Sequence, residues 1–397
     1  MSARAAIYLD ANAGLPPLPE IRAAIGDVLP LLYNPSSGHE PGRKTRALIH
    51  RARQQIHRSL GDLLPDLEDS NWVLTSGGTE GLQGCIRAAQ AAGLTWISQP
   101  TEHQGSLALQ TQSDLNLPVD HAGRVDVAAV SPFLDRLVDS GRLRGDTPFF
   151  VSLIWVNNET GVIQHQLPEL CALLRSRGAI LLLDAAQAWG KLEPTPPHQL
   201  RAQDIDFVVA SGHKIGALSG TGVLAFSSRG KKLLSTSPIL AGSQQQGLRA
   251  GTENTLGVWS LGLAAELSDK LFSSIQEVRA ELEQEIQSQI SGCRINGHGA
   301  DRVCNTVNIS IEGISTRSAP LTLQMDLRGF SVSAGSACSS GQTRPSHVLR
   351  ALGHSEALAK ASLRISLPPG FDRSQITPFV QTLAQVVESS RGQDRHE

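Results

Sequence analysis

One lysine of this chain stands where covalent chemistry is possible. Lys214 follows the apolar stretch 206–210, which is typical of a buried strand, and a short turn of serine, glycine and histidine. Small residues in that turn let a ligand approach, and burial would favour the neutral amine, so Lys214 is a candidate Schiff-base nucleophile. The alternative is a surface lysine in a hairpin. Helical, terminal or polar contexts are predicted for the other six lysines, Lys44, Lys191, Lys231, Lys232, Lys270 and Lys360.

A turn of small residues could hold a phosphate group. Residues 75–79 (Thr-Ser-Gly-Gly-Thr) join a predicted strand at 71–74 to a predicted helix at 81–91. The first N–H groups of a helix lack backbone partners and the helix dipole favours negative charge, so such a turn can bind phosphate. The alternative is an ordinary capped turn in which Ser76 or Thr79 is the N-cap residue.

Polar side chains follow three further predicted strands. Asp184 and Gln187 follow strand 180–183, His103 follows strand 95–98, and Asn158 follows strand 149–155. Because parallel strands present their carboxyl ends at one ligand-binding edge of a sheet, we expect these side chains to lie close together. The alternatives are a helix cap for Asp184 and a solvated loop position for His103.

These separate signals together match the needs of pyridoxal phosphate. That cofactor requires a phosphate cradle, a side chain that stacks on its ring, a carboxylate that keeps its pyridine nitrogen protonated, and a lysine that forms a Schiff base. Finding all four at strand ends is less probable by chance than finding any one of them. The sequence therefore predicts a pyridoxal-phosphate site around Lys214.

A cysteine lies in a second run of small residues. Cys338 is within residues 334–341, a stretch too small in side-chain volume to pack a core, so we expect an exposed loop and an accessible thiol. The alternative is an incidental surface thiol. The remaining cysteines, Cys85, Cys171, Cys293 and Cys304, lie in apolar or helical contexts and are predicted to be structural.

Alternating strands and helices predict the elements that position these residues. Predicted strands at 95–98, 149–155 and 180–183 alternate with helical stretches near 127–139 and 166–177. This pattern is typical of an α/β fold with a mostly parallel sheet covered by helices. After residue 255 the pattern changes to a long predicted helix, 256–291, followed by a smaller α+β unit.

Composition excludes several classes of protein. The chain has 397 residues, 40% of them hydrophobic, and a net charge of −2, so nothing favours nucleic-acid or membrane binding. We find no apolar run of about 20 residues and no apolar leader at the N-terminus. The five cysteines form no CxxC pair, so we expect neither a zinc site nor a disulfide framework. A reducing, cytoplasmic location is therefore expected.

Several stretches in one order resemble a known family. They are Tyr-Leu-Asp at 8–10, Asn-Pro-Ser-Ser at 34–37, Thr-Ser-Gly-Gly-Thr-Glu at 75–80, Glu-His at 102–103, Val-Asn-Asn-Glu-Thr-Gly at 156–161, Asp-Ala-Ala-Gln at 184–187, Ser-Gly-His-Lys at 211–214, Arg-Ala-Gly-Thr at 249–252, Ala-Gly-Ser-Ala-Cys-Ser-Ser at 334–340 and Arg-Ile-Ser at 364–366. On these motifs the chain resembles the NifS-like cysteine desulfurases, fold-type-I pyridoxal-phosphate enzymes of the class-V aminotransferase family.

The resemblance implies an architecture and a set of site residues. The fold would be a large domain, 16–255, with a mostly parallel seven-stranded sheet, plus a smaller α+β domain formed by 1–15 and 256–397. Residues implied to bind the cofactor are Gly78, Thr79, His103, Asn158, Asp184, Gln187, Ser211, His213, Lys214 and Thr252. Within that set, His103 would stack on the ring, Asp184 would pair with its nitrogen, and Thr252 would reach the neighbouring subunit's phosphate in a homodimer.

The resemblance also implies a reaction. L-cysteine would become L-alanine, with Asn34, Asn158 and Arg364 near the substrate, Lys214 and His103 as candidate bases, and Cys338 as the nucleophile that accepts sulfur. An acceptor protein such as an iron–sulfur scaffold would then take the sulfur. The chain departs from the family's usual residues at 13–15, 217–220 and 242–245. The alternatives are a selenocysteine lyase or C–S lyase on the same fold, and a non-enzymatic cofactor-binding partner subunit.

Overall fold

A seven-stranded β-sheet forms the centre of the larger part of the molecule. The computed structural model describes residues 6–110, 115–192, 200–315, 319–334 and 345–392. The strands are β1 Ile7–Tyr8, β2 Trp72–Thr75, β3 Trp96–Ser98, β4 Leu115–Asn116, β5 Phe149–Ile154, β6 Ala179–Asp184, β7 Phe207–Ser211, β8 Gly222–Phe226, β9 Cys293–Ile295, β10 Thr306–Ile311, β11 Phe330–Ser331 and β12 Ser362–Ser366.

Helices cover this sheet and build the smaller part. They are α1 Pro19–Val28, α2 Glu40–Leu63, α3 Gly78–Ala91, α4 Gln104–Leu107, α5 Val127–Asp139, α6 Leu167–Ser176, α7 Ser228–Thr236, α8 Thr255–Leu267, α9 Ile275–Gln289, α10 Leu321–Asp326, α11 His347–Ala351, α12 Glu356–Lys360 and α13 Ile376–Gly392. Among the described residues, no helix has both the length and the apolar character needed to cross a bilayer.

The large sheet has the order β2-β8-β7-β6-β5-β3-β4, in which only β8 runs antiparallel to its neighbours. Every residue of β5, β6 and β7 is buried, as expected for strands covered on both faces. Side chains such as Leu153 and Leu183 pack with α2, α6 and α8 on one face, whereas Phe150 and Leu182 pack with α3 on the other. The predicted mostly parallel seven-stranded sheet is confirmed.

The smaller part is built on the antiparallel sheet β12-β10-β9. Ile286 of α9, Ile309 of β10 and Leu383 of α13 belong to its hydrophobic cluster. Strand β1 pairs in parallel with β11, and Asp10 forms a bridge with Ser366 at the end of β12. The N-terminal strand therefore leads from the smaller part towards the ends of the large sheet's strands.

The predicted continuous helix 256–291 is wrong. Helix α8 ends at Leu267, a short 3₁₀ turn spans Ser268–Lys270, and α9 begins only at Ile275. The break has a packing cause, because Leu261 of α8 lies in the large sheet's core whereas Phe272 and Ile275 lie in the smaller core. A single straight helix could not pack its side chains into both cores. The division into domains 16–255 and 1–15 with 256–397 stays a prediction.

Candidate active site

A cavity of about 560 Å³ opens at the carboxyl ends of β5, β6 and β7, which place Ile154, Asp184 and Ser211 in its wall. Most residues predicted from the sequence line it: Gly78, Thr79, His103, Asn158, Asp184, Gln187, Ser211, His213, Lys214 and Arg364. The fold thus brings together residues that lie as far apart in sequence as Gly78 and Arg364.

Two predicted site residues do not line this cavity. Asn34 and Thr252 are both exposed, and neither belongs to the residues that line it. Cys338 lies outside the described residues. For Thr252 this position is compatible with the predicted role in a neighbouring subunit, which stays a prediction.

Lys214 is held by two backbone carbonyl groups of the N-terminal segment. Its Nζ donates to the carbonyl oxygens of Asn12, at 2.6 Å, and Ala13, at 2.9 Å. Burial and then the positive charge of Arg364 lower the pKa of Lys214 to about 8, although the carboxylates of Asp184 and Asp10 oppose the shift. Roughly a tenth of such an amine is neutral at pH 7, against roughly three in ten thousand at an unshifted pKa.

Asp184 and His103 both line the cavity, and each influences the pKa of the other. Burial raises the pKa of Asp184, while the charge of His103 and a 2.8 Å hydrogen bond from the Ala186 N–H to Oδ1 act against it. Burial lowers the pKa of His103, so its ring is neutral near pH 7. Its Nδ1 accepts the N–H of Gly105 at 3.0 Å, which leaves the hydrogen of the neutral ring on Nε2.

The start of α3 is open for an anion. The helix begins at Gly78, and Gly77 before it provides no side-chain cap, so the alternative of a cap by Ser76 or Thr79 is wrong. Gly81 lets α3 lie close on β7, because a Cβ there would stand 3.0 Å from Cγ2 of Val209. This packing brings the free N–H groups of the first turn to the cavity.

Ser211 and His213 supply neutral polar groups to the same cavity. Oγ of Ser211 lies 3.0 Å from Nδ1 of His213. Burial, followed by the charge of Lys214, lowers the pKa of His213 to about 4. At neutral pH this imidazole therefore carries no charge and can share a hydrogen bond with the serine hydroxyl.

Arg364 reaches the cavity from β12 and is paired there with a residue that the sequence analysis missed. Its Nη2 lies 2.7 Å from Oδ1 of Asp10, and Nη1 donates to the carbonyl oxygen of Asn158 at 3.1 Å. Oδ2 of Asp10 also accepts from Ser333 at 2.8 Å. A signal for Asp10 was present, since it is the carboxylate of the matched motif Tyr-Leu-Asp at 8–10.

Lys191 and His347 were also missed. A helical, terminal or polar context is predicted for Lys191, whereas its side chain is buried, with 7% of the residue exposed. His347 lines the cavity, and its Nε2 lies 2.8 Å from the carbonyl oxygen of Glu102. Nothing in the local sequence distinguishes either residue, because both reach the site through long-range packing.

The arrangement fits pyridoxal phosphate. An uncapped helix start suits the phosphate, the buried carboxylate of Asp184 suits a protonated ring nitrogen, and a partly neutral lysine suits attack on a carbonyl carbon. Oδ1 of Asn158, buried in the cavity wall, has no hydrogen-bond partner among the residues that the structure describes. A buried polar atom of this kind is costly unless a ligand supplies the missing partner.

Comparisons with known proteins agree with this assignment. The family model described as aminotransferase class-V matches residues 7–379. A curated cysteine desulfurase from Trichormus azollae is 35% identical over 399 residues, covering 97% of this chain and 94% of that protein. A solved NifS-like protein from Rickettsia africae is 28% identical with a TM-score of 0.81, covering 96% of this chain and 99% of its own. A protein named SspA, solved in complex with cysteine, is 26% identical with a TM-score of 0.72, covering 91% and 99%.

Proposed function

Because the chain belongs to the class-V aminotransferase family, we propose that it is a pyridoxal-phosphate-dependent cysteine desulfurase of the NifS-like class. It converts L-cysteine to L-alanine and passes the sulfur on as a protein persulfide, which can supply iron–sulfur cluster or other thio-cofactor assembly. The 35% identity to a curated cysteine desulfurase over 97% of the chain confirms the predicted family and activity. The cofactor prediction is confirmed with them, because enzymes of this family depend on pyridoxal phosphate.

One observation of the structure carries the proposal. A single cavity holds a lysine with a pKa of about 8, a buried carboxylate and an arginine aimed inward, Lys214, Asp184 and Arg364. Pyridoxal phosphate, when bound there, withdraws electrons from the Cα of an attached amino acid. Each of the three side chains then has a distinct task that its chemistry suits.

The residues that hold the cofactor are assigned by the kind of group they offer. The first turn of α3, with Gly78 and Thr79, and the pair Ser211 and His213 offer donors to the phosphate. His103 offers a neutral ring for stacking, and Asp184 offers a negative charge to the ring nitrogen. The amides of Asn158 and Gln187 lie in the same wall and serve the oxygen side of the ring.

Lys214 is the better candidate for moving the substrate's Cα proton. A pKa of about 8 would let its amine both accept and return a proton near neutral pH. His103 is less suited, because Nδ1 already accepts the N–H of Gly105 and the neutral ring keeps its hydrogen on Nε2. We therefore assign the proton transfer to Lys214 and ring stacking to His103.

Sulfur transfer needs a nucleophile, and Cys338 is assigned this role from its motif. The thiolate of Cys338 attacks the substrate sulfur, the C–S bond breaks, and its electron pair stays with the carbon skeleton that becomes alanine after protonation. The cysteine then carries the sulfur as a persulfide, so atoms and electrons balance without an external oxidant. A reductant or an acceptor protein is needed only to remove that sulfur.

The direct test of the function is product analysis. Protein loaded with pyridoxal phosphate and given L-cysteine should form alanine and, with a thiol reductant present, sulfide in equal amounts. Without reductant or acceptor, alanine formation should stop after about one equivalent per site, because the persulfide stays on the protein. Formation of pyruvate and ammonia in place of alanine would contradict the proposal.

Arg364→Lys is expected to weaken substrate binding. A guanidinium binds a carboxylate through two charge-assisted hydrogen bonds. Lysine has a shorter side chain that ends in a single ammonium group, so it cannot reproduce that geometry. We expect KM for cysteine to rise roughly 10- to 100-fold, from the energy of hydrogen bonds to charged groups, with a smaller change in kcat. Steady-state kinetics measures this, with the exposed Arg373→Lys as the control. An unchanged KM in a variant that melts normally would remove Arg364 from the substrate site.

Assembly as a homodimer is the finer part of the proposal. Thr252 is exposed and lies outside the cavity of its own chain, so it is free to complete the phosphate site of a second copy. A location in the cytoplasm and an acceptor protein such as an iron–sulfur scaffold also stay predictions. The family's use of L-cysteine is supported by the relatives and by the SspA complex with cysteine.

Thr252→Ala is expected to weaken cofactor retention about fivefold without lowering the melting temperature of the cofactor-free protein, since one neutral hydrogen bond contributes about 1 kcal/mol. Equilibrium dialysis of the cofactor measures this, with the exposed Thr147→Ala as the matched control. Analytical ultracentrifugation should find a dimer. A fully active monomer at the assay concentration would rule out a shared site.

A further inference from the structure

Lys191 is a buried lysine that lies just behind the wall of the active-site cavity. Its Nζ donates to Oδ1 of Asn12 at 2.8 Å and to Oε1 of Gln187. Asn12 and Gln187 line the cavity, whereas Lys191 lines a separate cavity on the other side of that wall. The ring of Phe272 lies 5.5 Å from the ammonium nitrogen. Lys191 therefore contacts the site through two amide side chains and not through the ligand space.

In its charged form the Lys191 amine can only donate, and this decides how both amides are oriented. Each amide must turn its carbonyl oxygen, and not its NH₂ group, towards Nζ. The rest of the network agrees for Asn12, because its Nδ2 donates to the carbonyl oxygen of Asn158 at 3.2 Å and to Oγ1 of Thr306 at 2.8 Å. Nδ2 of Asn305 donates to the same Oδ1 at 3.3 Å.

The orientation of Gln187 has a chemical consequence. With Oε1 on Lys191, one hydrogen of Nε2 is donated to the carbonyl oxygen of Asn12 at 2.9 Å. The same carbonyl oxygen accepts from Lys214 at 2.6 Å, so Gln187 and Lys214 meet on one acceptor. The second hydrogen of Nε2 is the polar group left for Gln187 to present to a ligand. In the reversed amide, a carbonyl oxygen would take its place.

Burying this lysine is costly, which argues against a purely structural role. Burial, and then the charge of Lys214, lower the pKa of Lys191 to about 7. Its two acceptors are neutral amides, so no carboxylate offsets the loss of hydration among the contacts described here. An apolar side chain of similar length would fill the same space at lower cost.

We propose that Lys191 is a positioning residue that keeps Gln187 turned with an N–H donor, and not its carbonyl oxygen, towards the ring oxygen of the bound cofactor. The proposal rests on the proposed function for the identity of that oxygen. Negative charge on the ring oxygen helps to retain the neighbouring proton, and a donor there takes up part of that charge. Losing the donor should therefore make the cofactor hold that proton more tightly.

The test is a pH titration of the bound cofactor's visible absorbance. In Lys191→Met, which is one atom shorter and removes the donor, we expect the midpoint to rise by about one pH unit, the size of one hydrogen bond to a charged group. Gln187→Met should raise the midpoint similarly. The double variant should rise no further than Gln187→Met alone. Lys191→Gln, which retains a donor, should return the midpoint towards that of the wild type.

Each contrary result has a definite meaning. An unchanged midpoint in Lys191→Met, or a shift that persists undiminished in the Gln187→Met background, would overturn the proposal, because Lys191 would then act through structure or through its charge alone. If Lys191→Met fails to fold, an unshifted midpoint in Lys191→Gln supports the proposal and a full shift contradicts it. Failure of the proposed function is distinguishable, since product analysis would then find no alanine from cysteine in the wild-type protein, whereas the midpoint can be measured in any protein that binds the cofactor.

Discussion

Lys214→Ala is expected to abolish turnover, with a loss of roughly a thousandfold or more, because among the described residues that line the cavity no other amine can bind the cofactor covalently and then move a proton. Its Nζ is held within 2.9 Å of two backbone carbonyls, at the end of β7 where the cavity opens. The variant should also lack the yellow absorbance that depends on the lysine, even with added cofactor. Absorbance spectra and alanine formation measure the two effects.

The control for this variant is Lys360→Ala, since Lys360 is an exposed lysine paired with Glu356 on α12. It should keep both the colour and the activity. Borohydride reduction followed by peptide mapping should locate the cofactor on Lys214. The rival is Lys191, which is buried near the site with a pKa of about 7. Cofactor found on Lys191, or on any other lysine, would mean that the site is assigned wrongly.

Cys338→Ser is expected to stop sulfur transfer while leaving cofactor binding intact. A serine hydroxyl cannot attack the substrate sulfur to form a persulfide, whereas a thiolate can. The variant should fold normally and still change its spectrum on addition of cysteine, because binding of the cofactor and of cysteine depends on Lys214 and Arg364. It should release no alanine above roughly a thousandth of the wild-type rate.

Three of the other four thiols are poor substitutes for Cys338. Burial raises the pKa of Cys85 well above its usual value, that of Cys171 to about 12 and that of Cys293 to about 11. Cys293→Ser is the matched control, since Cys293 is half-buried at the start of β9, and its turnover should stay close to that of the wild type. Mass spectrometry after cysteine treatment should find the added sulfur on Cys338. Normal desulfuration by Cys338→Ser would make a thiol-independent lyase the better description.

The amino-acid sequence alone was sufficient to predict the central parallel sheet and the cofactor site at its edge. The alternation of apolar strands and helices requires a parallel sheet, and a parallel sheet brings the carboxyl ends of its strands to one edge. Asp184, Lys214 and the turn before α3 were therefore predictable as neighbours from their positions directly after strands. The residue types at those positions were enough to indicate the cofactor, because each offers a group that the cofactor needs.

Only the tertiary structure determines the contacts of residues whose position after a strand does not predict them. Asp10 pairs with Arg364 across 354 positions of the chain, and Lys191 reaches Asn12 across 179. Such pairs depend on how the N-terminal segment and β12 of the smaller part meet the large sheet. The local sequence pattern does not indicate how these segments contact the large sheet, because those contacts are set by the packing of two separate hydrophobic cores. The same packing bends the chain between α8 and α9, where helical periodicity by itself predicts one continuous helix.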